Sequence, residues 1–242
     1  MKSNHITYDF EKSRQRIDDI LKTVDKSFEE VDSIPSRDKL TFNNGFYINK
    51  ATALFVDIRK SSELPSNNQR PVLARIYRSY ISEVVAIING NSHCAEVSIN
   101  GDCVWGVFDT SYINQVADVF STAAQISSII DILNCKFIKK GIDPIEVGIG
   151  IAFGRVLMIK AGYSGSSLND VVWMGDAVNN ASKLCSYGNK GWGDYEIMVS
   201  SVFYNNLNDE DKGYLEWNSN RNCYNGNVIN VSMNAWKKEN CK

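Results

Sequence analysis

The chain has 242 residues, 43% of them hydrophobic and 22% charged, an ordinary globular composition with enough length for one large domain. The 26 Lys and Arg residues against 28 Asp and Glu residues give a formal net charge of −2. This balance argues against general nucleic-acid binding, which needs a basic surface, but leaves room for a local basic site for one nucleotide.

The cysteines and the N-terminus indicate a cellular compartment. The six cysteines are scattered and form no Cys-x-x-Cys pair, and the chain has two histidines, so a zinc site is not predicted. We expect reduced thiols in a soluble, cytoplasmic protein. The polar N-terminus carries no secretory signal, and no apolar run is expected to be long enough to cross a bilayer.

The N-terminal part is predicted to be a helix followed by a loop. Apolar residues recur at steps of three, four or seven over residues 8–32, which favours an amphipathic helix. This helix either pairs with a second copy or lies against the main domain, and we favour the second. Pro35 and the Asn43-Asn44-Gly45 run predict a loop over 34–50. We therefore divide the chain into an N-terminal helix and loop, 1–45, and a main domain, 46–242.

The main domain is predicted to alternate strands and helices. Its elements are a strand at 51–58, a helix at 71–89, a hairpin of 94–99 and 103–108 about Asn100-Gly101-Asp102, and a helix at 112–140. A second hairpin of 145–153 and 156–161 about Gly154, a strand at 170–174, a helix at 175–186 and two or three short strands after 195 follow. The order β-α-β-β-α-β predicts an α+β, ferredoxin-like fold, with an antiparallel sheet and helices on one face.

Two carboxylates are expected to meet at one end of this sheet. Asp57 ends the first strand, and Asp102 lies in the tight turn between the next two strands. In a split βαβ sheet these strands are neighbours. An unpaired charge at the end of a buried strand is costly, and paired carboxylates are typical ligands of Mg²⁺ or Mn²⁺ at phosphoryl-transfer sites. The alternative is that Asp57 caps the next helix and Asp102 merely serves its turn.

Two further segments suit a nucleotide. Ile58-Arg59-Lys60-Ser61-Ser62 leaves the first strand with cations and free N–H groups that could hold a triphosphate, or is simply a solvated loop. Asn179 and Lys183 are four residues apart and share one helix face. An amide and an ammonium there suit a ribose and a phosphate, or form an ordinary surface pair.

Together these segments resemble the class III nucleotidyl cyclases, the adenylyl and guanylyl cyclase superfamily. FVDIRKSS (55–62) resembles the metal motif F-x-D-I-x-G-F-T, and SINGDCVWGVF (98–108) resembles the hairpin motif K-x-x-G-D-x-x-x-x-x-F. NDVVWMGDAVNNASKL (169–184) resembles D-Y-T-x-I-G-x-x-V-N-x-A-A-R-L. The three motifs stand in family order and spacing, over about residues 51–231.

The resemblance implies a two-metal site in which Asp57, Asp102 and the Ile58 carbonyl bind two divalent cations, Mn²⁺ or Mg²⁺. It implies that Asn179 positions the ribose, while Lys183 stands where the family has an Arg, and so keeps the charge but loses the bidentate fork.

In the phosphate loop, Lys60 and Ser61 replace the family's Gly-Phe and Ser62 stands at its Thr. Arg59 and Lys183 are expected to add positive charge where negative charge develops.

The base-reading positions depart from both purine codes. Adenine readers carry Lys with Asp or Thr, and guanine readers Glu with Cys, at the positions held here by Ser98 and Val172. DIRKSS (57–62), VNNASKL (178–184) with its Lys, and IPSRDKLTFNNGFYINK (34–50) resemble more closely the pyrimidine cyclases of bacterial anti-phage (Pycsar) systems. Those enzymes make cyclic UMP or cyclic CMP for a separate effector protein. Phe46 and Tyr47 are then candidates to stack on the smaller base, their alternative role being core packing.

The resemblance also implies a head-to-tail homodimer that acts on a nucleoside triphosphate, with no nucleic-acid or membrane partner. Asp57 and Asp102 would come from one chain, and Asn179 with Lys183 from the other. The alternatives are a purine cyclase with an unusual pocket and a non-catalytic homologue that only senses a nucleotide.

Overall fold

A computed structural model describes residues 2–164 and 166–241. Helices α1 to α8 span Phe10–Leu21, Leu64–Asn67, Arg70–Gly90, Ile113–Ile138, Asp176–Cys185, Ser201–Asn205, Asp209–Lys212 and Val231–Asn240. Strands β1 to β9 span Phe28–Val31, Gly45–Ile58, Cys94–Asn100, Cys103–Asp109, Val147–Gly162, Asn169–Met174, Ile197–Val199, Glu216–Asn218 and Cys223–Gly226. Short 3₁₀ turns lie at Asp25–Ser27, Arg37–Lys39 and Ser61–Glu63.

The central sheet confirms the predicted β-α-β-β-α-β order. In the described part of the chain, nine strands form one sheet along the path β3-β4-β2-β5-β7-β9-β8, with β1 on β2 and β6 on β5. The core is β2-α3-β3-β4-α4-β5, in which β2 is antiparallel to both β4 and β5. The fold is therefore the expected α+β arrangement, with three short strands added after residue 195.

Helices cover both faces of the sheet, which corrects the prediction of a one-sided arrangement. Alternate residues of β2 point to opposite faces. Leu54 and Val56 join the core under α3 and α4, whereas Phe55 joins a second core under α5. The second layer exists because α5 is amphipathic and buries Ala177, Ala181 and its neighbours on β2 and β5.

Glycines in β5 let α5 lie directly on the sheet. A Cβ built at Gly150 would collide with the backbone of Ala181 and Cys185, and one at Gly148 would collide with the Cys185 carbonyl. Any larger residue at Gly150 would push away the helix that carries Asn179 and Lys183.

The predicted hairpin about Gly154 is wrong, because β5 is one continuous strand of 16 residues. Gly154 is the register partner of Ala51, directly after a bulge in β2 between Ile48 and Ala51. β2 itself begins at Gly45, so the second half of β5 still has a strand to pair with. A bend shared by two long strands therefore replaces the predicted turn, and β5 continues to Gly162, where it pairs antiparallel with β6.

The N-terminal helix is shorter than predicted, since α1 ends at Leu21. Phe28 and Val31, which fitted the helical spacing, lie in β1 and pair in parallel with Gly45 and Ile48 of β2. Residues before 45 thus contribute a strand to the main sheet. α1 touches the domain through Arg16, whose guanidinium lies 4.6 Å from the centre of the Tyr163 ring. It buries none of its own residues, so the expected packing against the domain is slight.

α4 is long and apolar enough to cross a membrane by length and composition, contrary to our expectation. It is, however, a core helix, because 67% of its most apolar window is buried inside the domain. Core helices of soluble proteins pass the same test, so this is weak evidence of a membrane span.

Two of the six cysteines form a disulfide, whereas reduced thiols were predicted for all of them. Cys135 of α4 and Cys241, just after α8, form a disulfide with a Cα–Cα distance of 5.8 Å. Lys237 donates to Asp131 at 2.6 Å in the same helix pair. Cys94, Cys103, Cys185 and Cys223 are free.

Glu196, directly before β7, is expected to make the stability of the fold pH-dependent. Its carboxylate accepts a hydrogen bond of 2.6 Å from the Ser127 hydroxyl, and burial raises its pKa to about 7 from 4.5. Between about pH 4.5 and pH 7 the folded state therefore keeps a proton on Glu196 that the unfolded state has released. The free energy of unfolding falls as the pH rises through this range. Glu196→Gln should be more stable than wild type at pH 8 by about 3 kcal/mol and equal to it near pH 4.5.

Urea denaturation at both pH values measures this difference, with exposed Glu216→Gln as the control. An unchanged dependence of stability on pH in Glu196→Gln would show that Glu196 is not the titrating group.

Candidate active site

The structure brings the two predicted carboxylates together. Asp57 stands opposite Gly148 near the end of β2, and Asp102 lies in the turn between β3 and β4. Burial raises the pKa of Asp57, the nearby Asp102 carboxylate raises it further, and Arg59 opposes both effects. Two acids that repel each other at a sheet end form a site that favours a cation.

The donor set fits a divalent cation. Asp102 Oδ2 is buried and has no hydrogen-bond partner among the described residues, although an unpaired buried carboxylate oxygen is costly. The Ile58 side chain is apolar and buried, so Ile58 could contribute a ligand only through its carbonyl. In residues 2–164 and 166–241, no further Asp, Glu, His or Cys completes a cluster of three. Such an open oxygen set suits Mg²⁺ or Mn²⁺ that also bind water and substrate phosphates.

Arg59 lies beside Asp57, with its side chain turned inward. Its side chain is 12% exposed and turns back onto the C-terminal end of α5, where it donates to the Ser186 carbonyl at 3.3 Å. It also donates to the Asp57 carbonyl at 3.2 Å and lies 3.4 Å from Asp57 Oδ2. The carbonyls at a helix end attract cations, and this holds the side chain inward. Arg59 therefore ties β2 to α5 and orients Asp57.

The predicted phosphate loop is an exposed turn. Lys60 has a left-handed backbone with φ of 52° and directly precedes the 3₁₀ turn Ser61–Glu63. Ser62 is exposed and Ser61 is half-buried. Because the turn starts at Ser61, its first N–H groups have no partner inside the turn and remain available to an anion.

Asn179 and Lys183 lie on the exposed side of α5, one turn apart. Neither side chain makes a hydrogen bond or ion pair with another residue in the part of the chain that the structure describes. The charges that shift the pKa of Asp57 are those of Asp102 and Arg59, and Lys183 does not contribute. One chain therefore does not bring this pair into contact with its own carboxylates.

The two positions predicted to read the base lie on different strands. Ser98 is on β3, in register with Trp105 of β4, whereas Val172 is on β6, opposite Ile159 of β5. Asp57 faces Gly148 of the same β5, and positions 148 and 159 are eleven residues apart along a strand that bends at Gly154.

Of the two predicted stacking residues, Phe46 lies in the core, so the prediction of a stacking role for it is wrong. Its side chain is 5% exposed in the core under α5, because it points to the same face as Ile48. Tyr47 points the other way, is exposed, and lines a cavity of about 440 Å³ with Glu30, Arg155 and Asp176. Like Val172, it lies at the end of the sheet away from Asp57.

Phe55 and Trp105 form an aromatic pair beside the carboxylates that the sequence reasoning missed. Their rings stack with centroids 4.8 Å apart and planes 6° apart. Trp105 is the register partner of both Phe55 and Ser98, so the three residues cross the sheet in one row. The signal lay in the alternation along β2, which places Phe55 and Asp57 on one face.

Comparisons with known proteins show the family and the fold. The family model described as "Adenylate and Guanylate cyclase catalytic domain" matches residues 47–231. The chain is 41% identical over 99% of its length to a uridylate cyclase from Gulbenkiania mobilis, all of which it covers. It is 40% identical over 86% of its length to a uridylate cyclase from Treponema porcinum, of which it covers 72%. The adenylyl cyclase CyaB from P. aeruginosa has a similar fold, with a TM-score of 0.61 and 22% identity over 72% of this chain and 85% of that one.

Proposed function

The chain belongs to the adenylate and guanylate cyclase catalytic domain family, and from that premise we propose that it cyclises a pyrimidine nucleoside triphosphate. It is a nucleotidyl cyclase, and the proposed substrate is UTP or CTP, with UTP favoured. The products are the 3′,5′-cyclic monophosphate and pyrophosphate. The observation that carries the pyrimidine assignment is the near full-length similarity to proteins named uridylate cyclases. Ser98 and Val172, which match neither purine code, support it.

Members of this family use divalent metal ions. We propose that Asp57, Asp102 and the Ile58 carbonyl hold two such ions, Mn²⁺ or Mg²⁺. When bound, the ions neutralise phosphate charge and make the ribose 3′-hydroxyl a better nucleophile. The orphaned Oδ2 of Asp102 and the mutual repulsion of the two acids support this assignment. Arg59 keeps Asp57 oriented for it.

The remaining polar residues position the substrate for an in-line attack of the 3′-oxygen on the α-phosphorus. Asn179 holds the ribose, and Lys183 supplies positive charge at the α-phosphate. The N–H groups of Ser61 and Ser62, together with Lys60, hold the outgoing phosphates. Because nucleophile and electrophile belong to one molecule, this positioning supplies much of the rate.

Class III cyclase domains act as dimers on nucleoside triphosphates. We propose a head-to-tail homodimer in which each site takes Asp57 and Asp102 from one chain, and Asn179 and Lys183 from the other. The exposure of Asn179 and Lys183, which contact no residue of their own chain's carboxylate pair, supports this division. Tyr47, at the Val172 end, would then reach the base from the partner chain.

The wider role follows from the resemblance to anti-phage pyrimidine cyclases. We propose that the cyclic product is a second messenger that a separate effector protein reads during phage infection. Nucleoside triphosphates are plentiful in the cytoplasm, so the cytoplasm is the proposed site of action.

The test is incubation of the purified chain with UTP and Mn²⁺, with the product identified by mass and the pyrophosphate counted. Cyclic UMP and pyrophosphate in equal amounts support the proposal, and the same assay with CTP ranks the two pyrimidines. Binding of UTP without pyrophosphate release, in Mg²⁺ as in Mn²⁺, would instead identify a nucleotide-sensing homologue.

A further inference from the structure

Helix α8 is held on α4 chiefly by contacts at the surface. None of its ten residues is buried. Lys237 donates to Asp131 at 2.6 Å, and Lys139 Nζ donates to the Asn240 carbonyl at 2.5 Å. Both bonds lie at positions open to water, where pairs of charged and polar groups contribute little to stability. The non-covalent attachment of α8 to the domain is therefore weak.

An open cavity lies beneath the first half of α8. It has a volume of about 690 Å³ and is lined by Val231 and Ala235 of α8, by Phe120 and Ala124 of α4, and by Tyr214 after α7. A helix that borders a cavity lacks partner atoms on that side and loses the dispersion contacts that would hold it. Close packing therefore does not fix the first half of α8.

The two ends of α8 are anchored differently. Directly before the helix, the Asn230 N–H donates to the Ser128 hydroxyl at 2.7 Å. Directly after it, Cys241 is bonded to Cys135 of α4, a residue 106 positions earlier in the sequence. The disulfide is thus the one covalent link between α8 and the domain in the described residues. The match to the cyclase family ends at residue 231, so α8 and this link lie beyond the matched domain.

The disulfide is accessible and lies among cations. Cys135 and Cys241 are both half-buried, so a small thiol can approach their sulfur atoms from solvent. Lys136 follows Cys135 and is exposed, and Lys139 binds the carbonyl of the residue before Cys241. Nearby positive charge favours the thiolate, which is both the attacking and the leaving form in disulfide exchange. This bond is therefore placed for exchange with small thiols while the chain stays folded.

We propose that the Cys135–Cys241 disulfide is a redox-sensitive latch, which a small-molecule thiol opens in the folded chain so that α8 leaves α4. One thiolate attacks the Cys241 sulfur, and Cys135 leaves as a thiolate. A second small thiolate then attacks the sulfur of the first in the mixed disulfide, and Cys241 leaves. Two small thiols thereby become one small-molecule disulfide, while their two electrons and two protons pass to the two cysteines.

Opening the latch changes the surface of the protein away from the carboxylates. Release of α8 uncovers the side of α4 that lines the cavity, including Phe120 and Ala124. The inference goes beyond the proposed function and takes from it only the cytoplasmic location. Disulfides in that compartment are usually catalytic or redox-sensing.

The test is hydrogen–deuterium exchange of the purified chain, before and after incubation with millimolar reduced glutathione and no denaturant. Alkylation of free thiols, counted by mass, reports the state of the bond in the same samples. We expect glutathione to free both cysteines and to speed amide exchange over residues 231–240 by at least about 10-fold. Excess oxidised glutathione should restore slow exchange. Cys241→Ser should exchange fast over 231–240 with or without glutathione.

Cys94→Ser is the matched control, since Cys94 is a half-buried free cysteine on β3, and this variant should behave as wild type. A bond that glutathione leaves intact until the chain is unfolded would overturn the proposal. So would slow exchange over 231–240 in Cys241→Ser or in the reduced wild type, because α8 would then be held without the bond. Neither readout needs a nucleotide, so the result is independent of the proposed cyclase activity.

Discussion

Replacing Asp57 with Asn is expected to lower cyclic nucleotide formation by at least about 10³-fold without unfolding the chain. Asparagine keeps the shape of the side chain and loses the charge that pairs with a divalent cation, an effect of about 4 kcal/mol. Initial rates with UTP and Mn²⁺ measure it. Asp209→Asn, a fully exposed carboxylate on α7, should stay within about twofold of wild type.

The stability of the same variant separates catalysis from folding. Burial and Asp102 raise the pKa of Asp57, so in the absence of metal its ionised form costs stability above its ordinary pKa. A neutral Asn avoids that cost, and Asp57→Asn should melt at or above the wild-type temperature at pH 8. If Asp57→Asn retains its activity, the proposed metal site is contradicted. If it melts well below wild type at pH 8, the inference that the ionised Asp57 costs stability is contradicted.

Mixing two inactive variants is expected to restore activity. Asp57→Ala removes a carboxylate and Asn179→Ala removes the ribose amide, yet a mixed dimer carries one site with both residues intact. Random pairing of equal amounts makes half of the dimers mixed, each with one working site of two. About a quarter of the wild-type activity should therefore return. The rate after joint refolding or prolonged incubation measures this.

Asp57→Ala mixed with Asp102→Ala is the matched control. Both substitutions lie in the same half of the proposed site, so no pairing rebuilds a complete site and activity should stay absent. Recovery in this control, or none in the Asp57→Ala and Asn179→Ala mixture, would contradict a site shared between chains.

The sequence predicted the central fold because its signals are local. The Asn100-Gly101-Asp102 turn, the apolar spacing of α3 and the β-branched run ending at Asp57 each fix their own element. Once those elements stand in β-α-β-β-α-β order, few arrangements bring them together, and Asp57 and Asp102 meet as predicted. The carboxylate pair is thus a consequence of topology, which a sequence pattern can indicate.

The errors arose where partners distant in sequence decide the outcome. Gly154 has the character of a turn residue, but its pairing with Ala51 after the β2 bulge keeps β5 extended. Phe28 fits a helical spacing, yet its neighbour is Gly45 of β2. Arg59 follows Asp57 like a solvent-facing cation, but the carbonyl groups at the end of α5 hold it inward.

The aromatic pair beside the carboxylates was missed for the same reason. Trp105 is fifty residues after Phe55 in sequence, and only the register of β2 against β4 makes them neighbours. Phe46 was chosen as a stacking candidate because it is aromatic and precedes the first strand. The alternation along β2 sends it into the core instead.

The most direct test of a pyrimidine cyclase is competition among the four nucleotides in one reaction. Wild-type protein is given equal concentrations of UTP, CTP, ATP and GTP with Mn²⁺, and the initial ratio of cyclic products is measured by mass. This ratio reports relative kcat/KM and hence discrimination in the transition state. We expect a cyclic pyrimidine, with cyclic UMP ahead of cyclic CMP, to exceed both purine products by at least about 100-fold. A majority of cyclic AMP or cyclic GMP would contradict the account.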